Sequence, residues 1–217
     1  MLAYHAYLRG DPSNRRLLLS PIRFDAAGWP VVERPAGPAT RAAPAAFGFG
    51  AALDAGWQWP ARRRPAAQIT RGSQVRGPGS LARQTGTTRF SATATLTARR
   101  GSARAGLAVM AQGGNAVGVE LRGGRATAWR SDDGRLSTMG SRRLPPGPPV
   151  SGTWRLVLRV SVGDRVRLAV GMRGRWLPVG PPEPPPRWAG GAYAGLRVSG
   201  PAGARADFDS LAIHPRH

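Results

Sequence analysis

The sequence has no cysteine and no lysine, only 11 acidic residues, and no long uninterrupted apolar run. Without cysteine there is no disulfide framework, thiolate zinc site, iron–sulfur cluster or cysteine nucleophile. A membrane-crossing helix needs about 20 consecutive apolar residues. Here 30 Gly and 21 Pro in 217 residues break every such run, so no membrane partner is expected. Helical periodicity is also missing over any long window. What remains is a chain of short apolar stretches separated by turn residues, which favours strands over helices.

The charge is lopsided. The formal net charge is +21, and all 32 basic residues are arginine. Clustered arginines suggest nucleic acid, because they neutralise phosphates and release counterions. The absence of lysine, with the excess of Ala, Gly and Pro, instead fits codon bias in a GC-rich genome. Apart from Arg62–Arg64 and pairs such as Arg99–Arg100 and Arg142–Arg143, the arginines are scattered. In Arg155, Val157, Arg159 they alternate with apolar residues as on a solvated sheet face. Non-specific adhesion to polyanions follows from net charge alone, and a dedicated nucleic-acid domain ranks below it.

Met1 is followed at once by a strand-like Leu-Ala-Tyr-His-Ala-Tyr-Leu. A secretory leader would show a basic region, a longer apolar core and a cleavage site. The expectation is a chain that starts inside something folded, with its localisation undetermined. Residues 1–34 read as short strands and turns: Tyr4–Leu8, turn chemistry at Gly10–Asn14, then Leu17–Leu19 and Pro21–Phe24. Residues 35–50, rich in Ala, Pro and Gly, read as a semi-rigid linker.

From residue 51 to 217 strands repeat. Phe90, Ala92, Ala94 and Leu96 alternate with Ser91, Thr93, Thr95 and Thr97, predicting a strand with one buried face. Gly123-Gly124, Asp133-Gly134 and Gly163-Asp164 mark hairpins, the last joining Trp154–Val162 to Arg165–Met172. Nine or so strands on this spacing predict an all-β fold, an antiparallel β-sandwich.

Three ordered blocks then stand out: Tyr4-His5-Ala6-Tyr7, Arg16-Leu17-Leu18-Leu19-Ser20-Pro21-Ile22 and Asp25-Ala26-Ala27-Gly28-Trp29-Pro30-Val31-Val32. Together they resemble the end of the catalytic propeller of family 43 glycoside hydrolases. Leu53-Asp54-Ala55-Gly56-Trp57-Gln58-Trp59 resembles the opening of the concanavalin-like sandwich appended to β-xylosidases and α-L-arabinofuranosidases of that family. Leu81–Thr85, Ala105–Val109, Trp176–Gly180 and Ala206–Leu211 follow in the order expected of that domain. The resemblance implies a jelly-roll-like sandwich preceded by a remnant of a five-bladed propeller. Partners would be plant-type xylan or arabinan, or a catalytic propeller part that this chain does not contain.

Family 43 enzymes invert the anomeric centre, which needs two carboxyl groups about 6.5–9.5 Å apart around a water. The resemblance places those carboxylates in early propeller blades, and none of the 11 acids here matches their motifs. Asp11 and Asp25 fall in turns, and Asp132, Asp133 and Asp164 at hairpin tips. No catalytic residue is therefore expected.

His5 is the candidate active-site remnant: by resemblance it would face the propeller channel, beside a metal ion or its waters. Against this stands an ordinary strand histidine. Asp54, Asp207 and Asp209 are candidates for a structural calcium, against plain surface carboxylates. Trp188, between prolines and glycines, is the candidate sugar-stacking aromatic; core packing is the default for most other tryptophans. Three functional readings stand: the C-terminal part of a glycoside hydrolase, inactive alone; a stand-alone carbohydrate-binding sandwich; and a basic nucleic-acid-binding domain.

Overall fold

The computed structural model describes residues 2–8, 11–20, 22–32, 44–48, 57–58, 66–70, 72–76, 79–100, 102–111, 114–145, 156–172, 174–187 and 192–216. For 2–8, 11–20, 58, 66–70, 72–76 and 98–100 the description is of the backbone alone. The described elements are all strands, and the chain divides into two units, Met1–Ala42 and Ala43–His217.

The first unit holds two antiparallel hairpins. Strands β1 (Leu2–Leu8) and β2 (Asp11–Ser20) pair with His5 opposite Leu17. Tyr7 lies opposite Arg15 but Leu8 opposite Asp11, so residues 12–14 are an unpaired irregularity. The turn expected at Gly10–Asn14 is thus partly absorbed into β2. Strands β3 (Ile22–Phe24) and β4 (Pro30–Val32) flank a turn that Asp25 builds. Its Oδ1 accepts from the Ala27 and Trp29 amides at 3.0 and 2.8 Å. Gly28 there has φ +81°, a conformation that costs glycine nothing. Phe24, Trp29, Val31 and Val32 are all exposed, Phe24 and Trp29 at 71%.

The second unit is the predicted sandwich. Its strands are β5 (Ala45–Gly48), β6 (Trp57–Gln58), β7 (Ala66–Thr70), β8 (Gly72–Arg76), β9 (Gly79–Gln84), β10 (Phe90–Arg100), β11 (Arg104–Met110), β12 (Ala116–Arg122), β13 (Arg125–Asp132), β14 (Arg135–Arg143), β15 (Leu156–Val162), β16 (Val166–Met172), β17 (Arg175–Pro178), β18 (Tyr193–Ser199) and β19 (Arg205–Pro215). One sheet runs β17-β16-β15-β10-β19-β8-β7, with β5 also on β19; the other runs β14-β13-β12-β11-β18-β9-β6. All pairs are antiparallel. Residues 45–48, which composition assigns to the linker, are strand β5, held in register by Leu211 and Ile213 of β19.

Alternation fills the space between the sheets. Phe90, Ala92, Ala94 and Leu96 of β10 are buried as the pattern predicts, and Leu158, Val160, Val166, Leu168 and Val170 join them. From the facing sheet come Leu81, Leu107, Val109, Val117, Val119, Leu121, Leu196 and Val198. Burying each large aliphatic chain contributes roughly 1.5–3 kcal/mol. Hairpin tips carry the predicted turn residues: Gly123 and Gly124 at φ +52° and +72°, Asp133 and Gly134 at +49° and +83°. The Asp164 tip is pinned by Arg89 at 2.7 Å.

Candidate functional site

In a two-sheet sandwich the outer faces meet solvent, yet the outer face of the seven-stranded sheet carries a second apolar layer: Ala82, Ala108, Met110, Ala116, Trp129 and Tyr193. Register explains it. Trp129, Gly118, Ala108, Gly195 and Ala82 stand opposite one another on five consecutive strands. Four small residues make a trough beside one indole. The indole lies over Gly118, where a Cβ would come within 2.7 Å of Trp129 Cζ2.

The next row is ionic. Glu120, Gly106 and Arg197 are in register, so the glycine lets the two side chains meet above it. A Cβ on Gly106 would sit 2.2 Å from the Val119 carbonyl oxygen. Glu120, only 4% exposed, accepts from Arg104 Nη1 and from Arg197 Nη1, each at 3.1 Å. The Arg197 guanidinium lies 4.3 Å from the centroid of the Trp129 ring, a cation–π contact. Burial holds Arg197 below its ordinary pKa; Glu120 opposes that and Arg104 adds to it. Glu120 is thus tied down by two cations, the placement of a structural anion and not of a proton-transfer group.

Next to this lies a depression of about 190 Å³, whose walls include Ser80, Met110, Asn115, Ser131, Leu136 and Arg197. Asn115 Oδ1 accepts from the Asp133 amide at 2.9 Å, fixing the tip of the β13–β14 hairpin beside it. Hydroxyl, amide and guanidinium groups here surround an apolar floor.

The other sheet offers an exposed aromatic. Trp176 on β17 is 40% exposed. Its ring covers Gly171, and Arg159 sits 4.3 Å from its centroid. Beside it, in register, are Gly171, Val157, Thr95 and Ser210, the last two linked at 3.3 Å. The default expectation of core packing holds for Trp57 but not for Trp176, which alternates with core-packed Leu177 on a four-residue edge strand and so stands on the outer face.

The residues picked from sequence fare unevenly. His5 is in β1, but its side chain lies outside the described residues, as do Asp54 and Trp188. Asp207 and Asp209 flank buried Phe208 on β19, both half-buried. Asp209 is the extra residue of a β-bulge, since Thr95 faces Ser210 and Leu96 faces Phe208. Among the described residues no three His, Cys, Asp or Glu side chains come together as a metal-binding group.

The fold so defined is an all-β antiparallel sandwich with a short two-hairpin unit before it. No protein-family model matches the sequence, and no curated protein matches it significantly. Solved structures do match the fold. A xylan β-1,4-xylosidase from Bacillus halodurans C-125 aligns with TM-score 0.67 at 15% identity, over 98% of this chain and 50% of its own. The Bacteroides ovatus xyloglucan PUL protein GH43B aligns with TM-score 0.66 at 18% identity, over 94% and 48%. The carbohydrate-binding module CBM66 from Bacillus subtilis aligns with TM-score 0.52 at 15% identity, over 73% of this chain and 95% of the module. The chain thus spans about half the length of the two larger structures. At these identities the likeness is one of fold.

Proposed function

We propose that this chain is the sandwich-bearing part of a family 43-type glycoside hydrolase acting on xylan- or arabinan-type polysaccharide, and that it does not cleave glycosides by itself. The observation that carries this is the extent of the fold match. An alignment over 94–98% of the chain takes in more than the sandwich, because residues 1–42 are about a fifth of it. The ordered Tyr4–Val32 blocks support the same reading of that first unit. Its exposed Phe24, Trp29, Val31 and Val32 suit a hairpin that docks on further protein. On this reading the acid and base belong to a propeller part, and His5 is the chain's contribution to that site.

The test is hydrolysis of nitrophenyl xyloside and arabinoside. The purified chain should be inactive, and a propeller part supplied in trans should restore turnover. Measurable hydrolysis by the chain alone would overturn the assignment of the catalytic groups.

A second reading, a carbohydrate-binding sandwich acting alone, is favoured by the likeness to CBM66, whose length the alignment nearly fills. It requires retention on insoluble xylan without any partner, weakened by Trp176→Ala or by Trp188→Ala. Unchanged retention in both variants would count against it.

A further inference from the structure

Where β12 turns into β13, at the rim of the outer face just described, arginines stand in register on neighbouring strands. Arg122 is opposite Arg125, and Arg125 is opposite Arg143. Arg104 starts β11 one step before Ala105, which faces Leu121, and so stands next to Arg122. Ala105, Leu121 and Ala126 point into the core, which turns the arginines outward. Directly opposed residues on antiparallel strands are about 4.5–5.5 Å apart at Cα, so four strands carry the row across roughly 15 Å.

Little nearby neutralises it. Arg104 shares Glu120 with Arg197, whereas among the described residues Arg122, Arg125 and Arg143 have no carboxylate at ion-pair distance. Arg125 donates instead to Ser141 Oγ at 2.8 Å. Like charges directly opposed across strands are destabilising. Here two such pairs follow one another at a hairpin whose Gly123-Gly124 turn is otherwise well formed. A scattered arginine excess does not require such alignment, and a bound polyanion would relieve its repulsion.

We propose that this ladder binds a carboxylate-bearing polysaccharide, a uronate chain lying across β11–β14. The proposal rests on the carbohydrate reading above and adds the charge class of the ligand. Guanidinium forks match planar carboxylates two bonds at a time. Nucleic acid is the competing polyanion. A single strand needs exposed rings on which to stack its bases, and the aromatics described on this outer face, Trp129 and Tyr193, are only 3% and 9% exposed.

The experiment compares the full chain with R122Q/R125Q and with R167Q/R175Q, which removes equal charge from exposed positions of the other sheet. Probes are polygalacturonate, the same polymer with its carboxyls reduced, neutral arabinoxylan and single-stranded DNA, each at low and high salt. R122Q/R125Q should bind polygalacturonate about tenfold more weakly, the scale of two exposed ion pairs; R167Q/R175Q should stay near wild type, and the reduced polymer should not depend on the ladder. Thermal melting of R122Q/R125Q should be unchanged or higher, which shows that weak binding is not misfolding. Equal losses in the two variants would mean net charge alone and overturn the proposal. Undiminished binding of the reduced polymer would overturn it too, while leaving the carbohydrate reading intact. Tight DNA binding with no retention of any polysaccharide would overturn this proposal together with the reading of the chain as a carbohydrate-binding sandwich acting alone.

Discussion

Replacing Glu120 by alanine removes a buried carboxylate that two guanidiniums share. Its side chain is 5% exposed, against 43% for Arg104 and 23% for Arg197. The Arg104 contact is open to solvent and contributes at most about 1 kcal/mol. The Arg197 contact is better shielded. Without it a guanidinium stays pressed against Trp129 with no counter-charge, a loss of about 1–2 kcal/mol. The sum is about 2 kcal/mol, which at this chain length lowers the melting temperature by roughly 4–8 °C. Urea titration and calorimetry of wild type and Glu120→Ala measure it. A cycle with Arg197→Met separates the pair: Arg197→Met should recover much of the loss when added to Glu120→Ala, because it removes the stranded cation. A melting temperature within about 1 °C of wild type, with no coupling in the cycle, would refute the reasoning.

Other outcomes follow from the same face and its opposite. Gly106→Ala should cost about 3 kcal/mol or more, because the 2.2 Å clash is with a backbone carbonyl of a central strand; soluble yield and melting temperature report it. Gly118→Ala should displace the Trp129 ring, seen as a red shift in tryptophan emission that is missing in Trp129→Phe/Gly118→Ala. Trp176→Ala should leave the melting temperature nearly unchanged, since the ring is 40% exposed at an edge, while lowering retention on xylan severalfold if it is a sugar platform.

The sandwich was legible because alternation and turn chemistry are local. Phe90–Leu96, the Gly123-Gly124 hairpin and the Asp164 tip can each be read from a few adjacent residues, and each forms as expected. Short edge strands were not legible. β5 and β6 have four and two residues, and partners more than a hundred residues away or outside any local pattern hold them. The outer-face site was hidden for a related reason. Gly118, Ala108, Gly195 and Ala82 look like weak points in four separate strands, and only the inter-strand register lines them up as a trough. Arg122 and Arg125 flank a visible turn, but nothing in the sequence shows that Arg143 and Arg104 complete their row.

The positions of β18 and β19 constrain how the molecule is made. β18 joins β9–β6 to β11–β14, and β19 joins β10 and its neighbours to β5 and β8. The two strands latest in the sequence are therefore the keystones of both sheets. During vectorial synthesis each sheet exists as two half-sheets with bare edges until those strands leave the ribosome. Such edges are templates for pairing with other chains, and closing them late depends on distant contacts, which slow folding. A ribosome-bound chain stalled before residue 193 should be protease-sensitive throughout and prone to aggregate, and one released past residue 215 should become resistant in a single step.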